Sequence, residues 1–348
     1  MTRLRPARPG GQHRPAGPAT ADRGGPAYRG GPAYRGGVPL AEVVRSGFVE
    51  GRHHGSVVVL DAAGAVLDSA GDVTAPIFPR SSNKPVQALG MLRTGLRLAD
   101  PADLALVCAS HWGQEFHLTR VRRMLRDAGL AESALACPPA LPLHEGARDA
   151  LLAAGGGPAR VQMNCSGKHT GMLLSCLAAG WPVAGYCRPE HPLQQALRAA
   201  VAEATGAPVA AVGVDGCGAP LFAASLTGLA GAFQRLVAAP AGAPERTVAD
   251  AMRAYPELVA GTGAGDTLLM AGVPGLLAKS GAEGVAAVAV PGAGAVALKL
   301  DDGAARARLP VLVSALRRLG QAAGVLDQLA ETPVLGGGVP VGAVRSIW

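Results

Sequence analysis

Two apolar segments, each interrupted by a glycine-containing turn, constrain the fold of this chain more than any other feature. Residues 55–69 read Gly-Ser-Val-Val-Val-Leu-Asp-Ala-Ala-Gly-Ala-Val-Leu-Asp-Ser. Residues 285–300 place Pro-Gly-Ala-Gly between two apolar runs, 285–290 and 295–300. Strand-like runs on both sides of a short glycine-rich turn are typical of β-hairpins. The sequence therefore predicts two antiparallel hairpins.

Helical patterns occupy other parts of the chain. Four helices are predicted: after Ser82 as far as Gly95, over residues 115–128, from the 164–169 loop to Gly180, and over about 304–319. Hairpins mixed with helices favour an α+β fold, with helices around a largely antiparallel sheet, over a regular βαβ alternation.

The composition sets the kind of core and the number of domains. The chain has 348 residues, of which 49% are hydrophobic but only 3% aromatic, so Ala, Val and Leu must build the core. No linker or repeat follows Val38, and we therefore expect one domain over residues 38–348.

The net charge of +7 does not indicate a nucleic-acid partner. Residues 1–37 carry seven arginines and one acid, which leaves about +1 for the rest of the chain. This segment is rich in Gly, Pro and Arg and repeats Gly-Gly-Pro-Ala-Tyr-Arg, which predicts a disordered tail. A nearly neutral body gives no reason to expect binding to phosphate backbones.

The sequence also gives no reason to expect a membrane partner. No segment is long and apolar enough to span a bilayer, and the tail lacks the apolar region of a signal peptide. Six cysteines in a chain of this size without secretory features favour reduced thiols and a cytoplasmic location.

Lysine is scarce in this chain. Of its 32 Lys and Arg residues only four are lysines, Lys84, Lys168, Lys279 and Lys299. Arginine is effectively always protonated, whereas lysine can lose its proton and act as a base or a ligand. Codon bias explains the excess of arginine, but the lysines that remain are candidates for roles that arginine cannot fill.

Ser81-Ser82-Asn83-Lys84 contains a Ser-x-x-Lys motif. A hydroxyl and an amine three residues apart lie on one face of a helical turn, where the amine can accept the serine proton. Ser-Lys acyl-transfer enzymes such as β-lactamases use this pairing. The alternative is an ordinary helix start, with Ser81 or Ser82 as the cap and Lys84 in solvent.

Cys165-x-x-Lys168-His169 suggests a metal site, because Cys and His are common ligands, but no matching Cys-x-x-Cys and no pair of histidines supports a conventional structural zinc site. Cys217 lies in another glycine-rich loop and is the best partner for Cys165. Two thiolates and a neutral Lys168 amine would leave one open position on zinc. The alternative is two small buried cysteines and a surface lysine.

The pair Ser110-His111 ends the apolar run Leu104–Cys108. Either side chain could serve as a nucleophile or a base. A strand end with a locally bonded histidine is the commoner alternative.

Five blocks taken together resemble the class-3 (rhizobial-type) L-asparaginase family, in order from about Val38 to the C-terminus. They are Arg80-Ser81-Ser82-Asn83-Lys84-Pro85, Cys108-Ala109-Ser110-His111, Met163-Asn164-Cys165-Ser166-Gly167-Lys168-His169-Thr170-Gly171-Met172-Leu173, Asp215-Gly216-Cys217-Gly218 and Lys279-Ser280-Gly281-Ala282-Glu283-Gly284.

The resemblance implies a fold similar to serine β-lactamases, a homodimer, and hydrolysis of L-asparagine to L-aspartate and ammonia. It also implies two catalytic Ser–Lys pairs, Ser81 with Lys84 and Ser110 with Lys279. It implies a zinc ion held by Cys165, Lys168, Cys217 and a water molecule. The remaining implied site residues, which contact substrate or support the ligands, are Arg80, His111, Asn164 and Asp215.

Three positions depart from the pattern of that family. Trp112 and Gln114 replace a small residue and a glutamate, and Ala264 stands where the pattern has an arginine. Two other functions therefore remain open. One is a Ser-Lys acyl hydrolase acting on another amide, such as glutamine or a β-lactam-like substrate. The other is a non-catalytic zinc-binding homologue.

Overall fold

The computed structural model describes residues 34–348. The strands are β1 Val38–Arg45, β2 Phe48–Leu60, β3 Val66–Ala70, β4 Pro76–Ile77, β5 Val212–Val214, β6 Pro220–Phe222, β7 Ala224–Ser225, β8 Leu277–Ser280, β9 Val285–Val290, β10 Gly294–Leu300, β11 Glu331–Gly336 and β12 Val339–Ser346. The α-helices are α1 Lys84–Arg93, α2 Pro101–Val107, α3 Glu115–Asp127, α4 Glu145–Ala153, α5 Ser166–Ala178, α6 Pro192–Thr205, α7 Leu226–Ala238, α8 Pro244–Ala254, α9 Pro256–Val259, α10 Gly265–Gly272, α11 Arg308–Arg318 and α12 Gly324–Leu329. Short 3₁₀ helices cover Arg80–Asn83, Glu132–Ala134, Arg160–Gln162 and Ala305–Ala307.

The main sheet is antiparallel and has the strand order β11-β12-β1-β2-β10-β9-β8. The long strand β2 curls it, because β1 pairs with its first half, whereas β10 and β3 pair with its second half. The fold is thus a mixed α/β fold with a curled antiparallel sheet flanked by helices.

The core lies around the central strands. Every residue of β9 is buried, and so is nearly all of β10. Their side chains are mainly Ala and Val, which let helices approach both faces closely. Helix α7 packs against β2, β9 and β10, and α11 packs against β10 and β12. Helices α1, α2, α5, α6 and α8 form a second body of packed helices beside the sheet.

The local predictions are largely confirmed. Both hairpins form, β2 with β3 and β9 with β10. All four expected helices are present, as α1, α3, α5 and α11. The alternative of a strand end at Leu104–Cys108 is wrong, because these residues lie in or directly after helix α2. Asp100 caps this helix by accepting a hydrogen bond from Ala102, and Pro101 occupies the first turn.

The predicted tail, residues 1–37, lies outside the described residues except for its last four. Of these, Tyr34 is held against the sheet, since its hydroxyl donates to the Asp301 carboxylate at 2.5 Å and lies 3.1 Å from the hydroxyl of Ser56. No helix between residues 34 and 348 is long and apolar enough to cross a membrane.

Two close approaches that only glycine permits bring the site segments together. A Cβ on Gly281 would lie 2.6 Å from the Pro79 carbonyl oxygen, so glycine lets the chain after β8 lie against the 3₁₀ helix that carries Ser81. A Cβ on Gly167 would lie 2.2 Å from the Leu106 carbonyl oxygen, so the start of α5 touches the end of α2.

Candidate active site

A small cavity of about 220 Å³ lies where these segments meet. Its lining residues are Ser81, Ser110, Trp112, Leu143, Asn164, Ala260, Ala264, Gly265, Asp266, Lys279, Ser280, Gly281, Ala282 and Arg308. The volume is below the roughly 300–1,000 Å³ that is usual for pockets holding drug-sized ligands, and it therefore suits a smaller molecule. Three predicted catalytic residues, Ser81, Ser110 and Lys279, are in the lining.

The fourth, Lys84, is not in the lining but contacts Ser110, which is. Its side chain is buried, and its Nζ donates to the Ala109 carbonyl oxygen at 2.5 Å and to Ser110 Oγ at 2.9 Å. The alternative of a solvent-exposed Lys84 at a helix start is thus wrong, and neither flanking serine caps α1. The hydrogen bond of Lys84 runs to Ser110, whereas the resemblance pairs this lysine with Ser81.

Lys279, at the end of β8, is also fully buried. Its Nζ donates to the Ser280 carbonyl oxygen at 2.6 Å and lies 3.8 Å from Asp266 Oδ2. Burial lowers the pKa of Lys279 to about 8, and the positive charges of Lys84 and Arg308 act in the same direction, although Asp266 opposes them. An appreciable fraction of this amine is therefore neutral near neutral pH and can accept a proton.

Asp266 holds this side of the cavity in place. Its Oδ2 accepts hydrogen bonds from both the backbone N–H and the hydroxyl of Ser280, each at 2.8 Å. The same oxygen is the one that faces the Lys279 amine. Asp266 thus fixes the end of β8 and sets the charge beside Lys279.

Arg80 precedes Ser81 and adopts a left-handed backbone conformation with φ of 53°. Its Nε donates to Asp215 Oδ1 at 2.9 Å, and it also approaches Glu283. Its side chain lines a neighbouring cavity that is separate from the one lined by Ser81. Such strained backbone conformations recur at functional sites, where the surrounding contacts hold them.

His111 has an internal role. Its ring is fully buried, its Nδ1 accepts from the Gly113 backbone N–H, and its Nε2 lies 2.8 Å from the Ser166 hydroxyl. That hydroxyl donates to the Val161 carbonyl oxygen, so His111 Nε2–H is the donor toward Ser166. Burial lowers the pKa of His111 well below its usual value. The structure therefore keeps this histidine neutral, with both ring nitrogens engaged away from the cavity.

The predicted metal ligands come together beside the cavity. Lys168 lies in the first turn of α5, and its Nζ is 3.2 Å from Cys217 Sγ. The hydrogen bond with Cys165 and the positive charge of Lys168 lower the pKa of Cys217 to about 5 against the effect of burial. That same hydrogen bond, together with burial, raises the pKa of Cys165 to about 12. Lys168 is itself buried, so the alternative of a surface lysine is wrong.

Asp215 completes this cluster. Its Oδ2 lies 3.8 Å from Cys217 Sγ, while its Oδ1 accepts from Arg80. Burial opposes ionisation, but Lys168 and Arg80 outweigh it and lower the pKa of Asp215. Its carboxylate therefore links the arginine beside Ser81 to the cysteine–lysine cluster.

These residues fit zinc through their donor chemistry. Cys165, Cys217 and Lys168 offer two sulfurs and one nitrogen, and zinc accepts sulfur and nitrogen donors with a fourth position open. Burial opposes the charge of Lys168, but Cys217, Cys165 and Asp215 raise its pKa, so its amine would have to release a proton to bind zinc. Over residues 34–348 no group of three or more His, Cys, Asp and Glu side chains is arranged to hold a metal ion. The proposed ligand set is not such a group, because its third member beside Cys165 and Cys217 is a lysine.

Asn164 joins the cavity to the cluster. It lines the cavity, its Oδ1 accepts from Cys165 Sγ at 3.3 Å, and its backbone oxygen accepts from the His111 N–H. A displacement of the Cys165 thiol would thus be transmitted to the cavity wall through this amide.

Two of the three unusual positions, Trp112 and Ala264, line the cavity, and Gln114 does not. The Trp112 indole supplies an apolar wall there. Gln114 instead holds a loop, since its Oε1 accepts from the Thr262 N–H at 2.9 Å and its Nε2 donates to the Thr262 hydroxyl at 3.3 Å. The Gln114 amide therefore uses both of its polar atoms to hold the loop at Thr262.

Sequence reasoning missed Asp266 and Arg308. Arg308, at the start of α11, lines the cavity, and its NH1 donates to the Gly281 carbonyl oxygen at 3.2 Å. Neither residue lies in one of the motif blocks, and no spacing in the sequence singles them out. The packing of α10 against β8 brings Asp266 to the site, and the contact with Gly281 brings Arg308 there.

Buried amines and serine hydroxyls around one small cavity define the class of this protein as a candidate hydrolase. Comparison with known families then identifies it: a family model described as L-asparaginase II matches residues 41–346, and the chain belongs to this family of rhizobial-type class-3 enzymes. The family indicates action on amides. No curated protein matches the chain.

Proposed function

We propose that this protein hydrolyses the side-chain amide of L-asparagine to L-aspartate and ammonia. The observation that carries the proposal is the convergence of two serines, Ser81 and Ser110, with two buried lysines, Lys84 and Lys279, at one small cavity. Membership of the L-asparaginase II family gives the substrate class. The cavity volume of about 220 Å³ suits an amino acid.

In this proposal Ser81 is the nucleophile, because it is in the lining and precedes Lys84 by one helical turn. Lys84 and Lys279 repel each other, which contributes to the low pKa of Lys279. Lys279 therefore gives up its proton more readily than an isolated lysine would. An amine without that proton accepts the one that serine loses, directly or through Ser110.

The bond changes follow from these positions. Ser81 Oγ forms a bond to the amide carbon as its proton passes to the lysine pair, which gives a tetrahedral intermediate. That proton then moves to the leaving nitrogen, the C–N bond breaks, and ammonia departs. Water attacks the acyl-enzyme by the same route in reverse, which releases L-aspartate and restores the serine.

A zinc ion is part of the proposal, with Cys165, Lys168 and Cys217 as its protein ligands and Asp215 supporting them. When bound, it would supply positive charge beside the cavity, where it could orient a substrate oxygen. Asn164 would fix the position of this centre relative to the cavity through its contact with Cys165.

We extend the proposal to the fold type, the assembly and the location. A Ser-x-x-Lys motif at the start of a helix beside an antiparallel sheet supports a serine β-lactamase-like fold. The resemblance supports a homodimer, which size-exclusion chromatography with light scattering tests. Six free cysteines support the reducing environment of the cytoplasm.

The test is ammonia release by the purified full-length chain from L-asparagine, L-glutamine and a β-lactam-like amide. We expect release from asparagine and its loss in Ser81→Ala, while Ser69→Ala, an exposed serine far along the sheet, stays active. Release from glutamine alone would instead support the other-amide hydrolase. No release from any amide, with zinc bound in stoichiometric amount, would support a non-catalytic homologue and overturn the proposal.

A further inference from the structure

The guanidinium of Arg308 is a half-buried cation that the surrounding protein does not neutralise. It lines the same cavity as Ser81 and Ser110. Its single side-chain hydrogen bond among residues 34–348 runs from NH1 to the Gly281 carbonyl oxygen, and no carboxylate in that range lies within 4.0 Å of it. A guanidinium carries five N–H donors, so most of its donors remain available.

The other cations of the site already have hydrogen-bond or ion-pair partners in the protein. Lys279 faces Asp266. Arg80 is paired with Asp215 and Glu283 and faces the neighbouring cavity. Lys84 is outside the lining and donates to Ala109 and Ser110. Arg308 is therefore the cation of the described lining that is left for an incoming anion.

The position of Arg308 is fixed. It begins helix α11, and its contact with Gly281 ties it to the chain directly after Lys279 and Ser280, on the edge that also faces the cavity. A planar guanidinium held at one nitrogen presents its remaining N–H groups as a fork, which matches the two oxygens of a carboxylate.

We infer that Arg308 binds the α-carboxylate of the amino-acid substrate and makes the site selective for amides that carry a free carboxylate. This inference rests on the proposed amide hydrolysis and adds a specificity residue to it. An anchor at Arg308 holds the substrate at one end, so that its amide carbon lies near the serines on the other side of a small cavity.

Two amides separate this role from a structural one. L-Asparagine carries the carboxylate, whereas β-alaninamide has the same amine and amide but lacks the carboxylate. In Arg308→Gln we expect kcat/KM for asparagine to fall about 100-fold, mainly through KM, because a charge-assisted pair is lost. Turnover of β-alaninamide should fall far less, because for this substrate only the rise in the pKa of Lys279 on loss of the Arg308 charge remains. Arg126→Gln, which removes an exposed arginine of α3, is the matched control and should leave kcat/KM unchanged for both substrates.

A binding measurement keeps the inference independent of turnover. Calorimetry with L-aspartate should give a Kd about 100-fold weaker in Arg308→Gln than in the parent protein. Arg308→Lys retains the charge but not the forked N–H donors, so its kcat/KM should fall about tenfold for asparagine only. This variant replaces Arg308→Gln if the glutamine variant does not fold.

The possible failures are distinct. Equal losses on asparagine and β-alaninamide, or unchanged L-aspartate binding in Arg308→Gln, would overturn the carboxylate role. If the parent protein releases no ammonia but binds L-aspartate through Arg308, the proposed hydrolysis fails and the carboxylate site stands.

Discussion

Lys84 Nζ lies 2.9 Å from Ser110 Oγ, a residue 26 positions away in the chain. This bond connects the helix that follows Ser81 with the segment after α2. It joins the lysine of one predicted Ser–Lys pair to the serine of the other, so that Lys84 and Ser110 form one hydrogen-bonded unit. Groups that act as such a unit lose their function together, and their mutational effects are then far from additive.

The first prediction concerns this unit. Ser110→Ala and Lys84→Met should each lower kcat for asparagine about 1,000-fold, because each interrupts proton transfer. The double variant should lose little more than either single variant. Ammonia release measured across this double-mutant cycle provides the test, with thermal unfolding as the check on folding. Losses that multiply in the double variant would show that the two residues act independently.

The second prediction concerns pH. The reaction needs a neutral amine, and the pKa of Lys279 is about 8, so kcat/KM should rise with pH and level off above that value. Asp266 raises the pKa of Lys279, so Asp266→Asn should move the rise to lower pH. Asp149→Asn, an exposed aspartate on α4, is the control. If the pH profile does not move in Asp266→Asn, Lys279 is not the group whose titration sets the pH dependence.

The same shift has a consequence for stability. Lys279 has a pKa of about 8 in the folded chain and an ordinary value of 10.5. Between those pH values the unfolded chain binds more protons, so the contribution of Lys279 to the free energy of unfolding rises with pH. It is fully present above pH 10.5 and is lost as the pH falls through 8. Denaturant unfolding of the parent protein and of Lys279→Met at several pH values measures this contribution as the difference between them.

The third prediction concerns zinc. Cys217→Ser should bind zinc at least about 100-fold more weakly, since removal of a ligand exceeds the roughly 10–100-fold effect of a supporting residue. Asp215→Asn should weaken binding by about tenfold. Elemental analysis and competition with a chelator measure both, and Cys176→Ala, a buried cysteine of α5, is the control. Equal zinc content in Cys217→Ser and the parent would contradict the ligand set.

Elements with a local pattern could be predicted from the sequence, whereas those set by packing could not. The hairpins and four helices carry their own periodicity and turn residues. The run Leu104–Cys108 is apolar on all sides, so periodicity could not separate a strand from the buried helix that Asp100 and Pro101 begin.

The candidate site shows the same division. Ser81, Lys84, Cys165 and Lys168 lie in compact polar blocks, and the scarcity of lysine draws attention to those blocks. Arg308 lies in an ordinary amphipathic helix, among the many arginines of the chain. Likewise, the bond from Lys84 to Ser110 depends on how α1 packs against α2, which no local pattern encodes.

The fourth prediction concerns substrate size. The indole of Trp112 forms an apolar wall of the cavity. Trp112→Ala enlarges the cavity, so the ratio of kcat/KM for glutamine to that for asparagine should rise about tenfold, a typical effect of one methylene. Trp181→Ala, at a half-buried tryptophan after α5, controls for the loss of an indole elsewhere. An unchanged ratio would mean that another wall sets the substrate length.

The fifth prediction concerns the contact between β8 and the serine-bearing segment. In Gly281→Ala the added Cβ would lie 2.6 Å from the Pro79 carbonyl oxygen and 3.2 Å from the Ser82 nitrogen. The two segments must then separate, which should cost about 1–3 kcal/mol of stability. Because displacement of Ser81 relative to Lys279 also disturbs the reacting geometry, kcat should fall by up to about 100-fold. Gly157→Ala, where a Cβ meets nothing within 4 Å, should retain both properties. Thermal unfolding and ammonia release on the two variants measure the effect, and a Gly281→Ala protein with full activity would show that this contact does not position the serine.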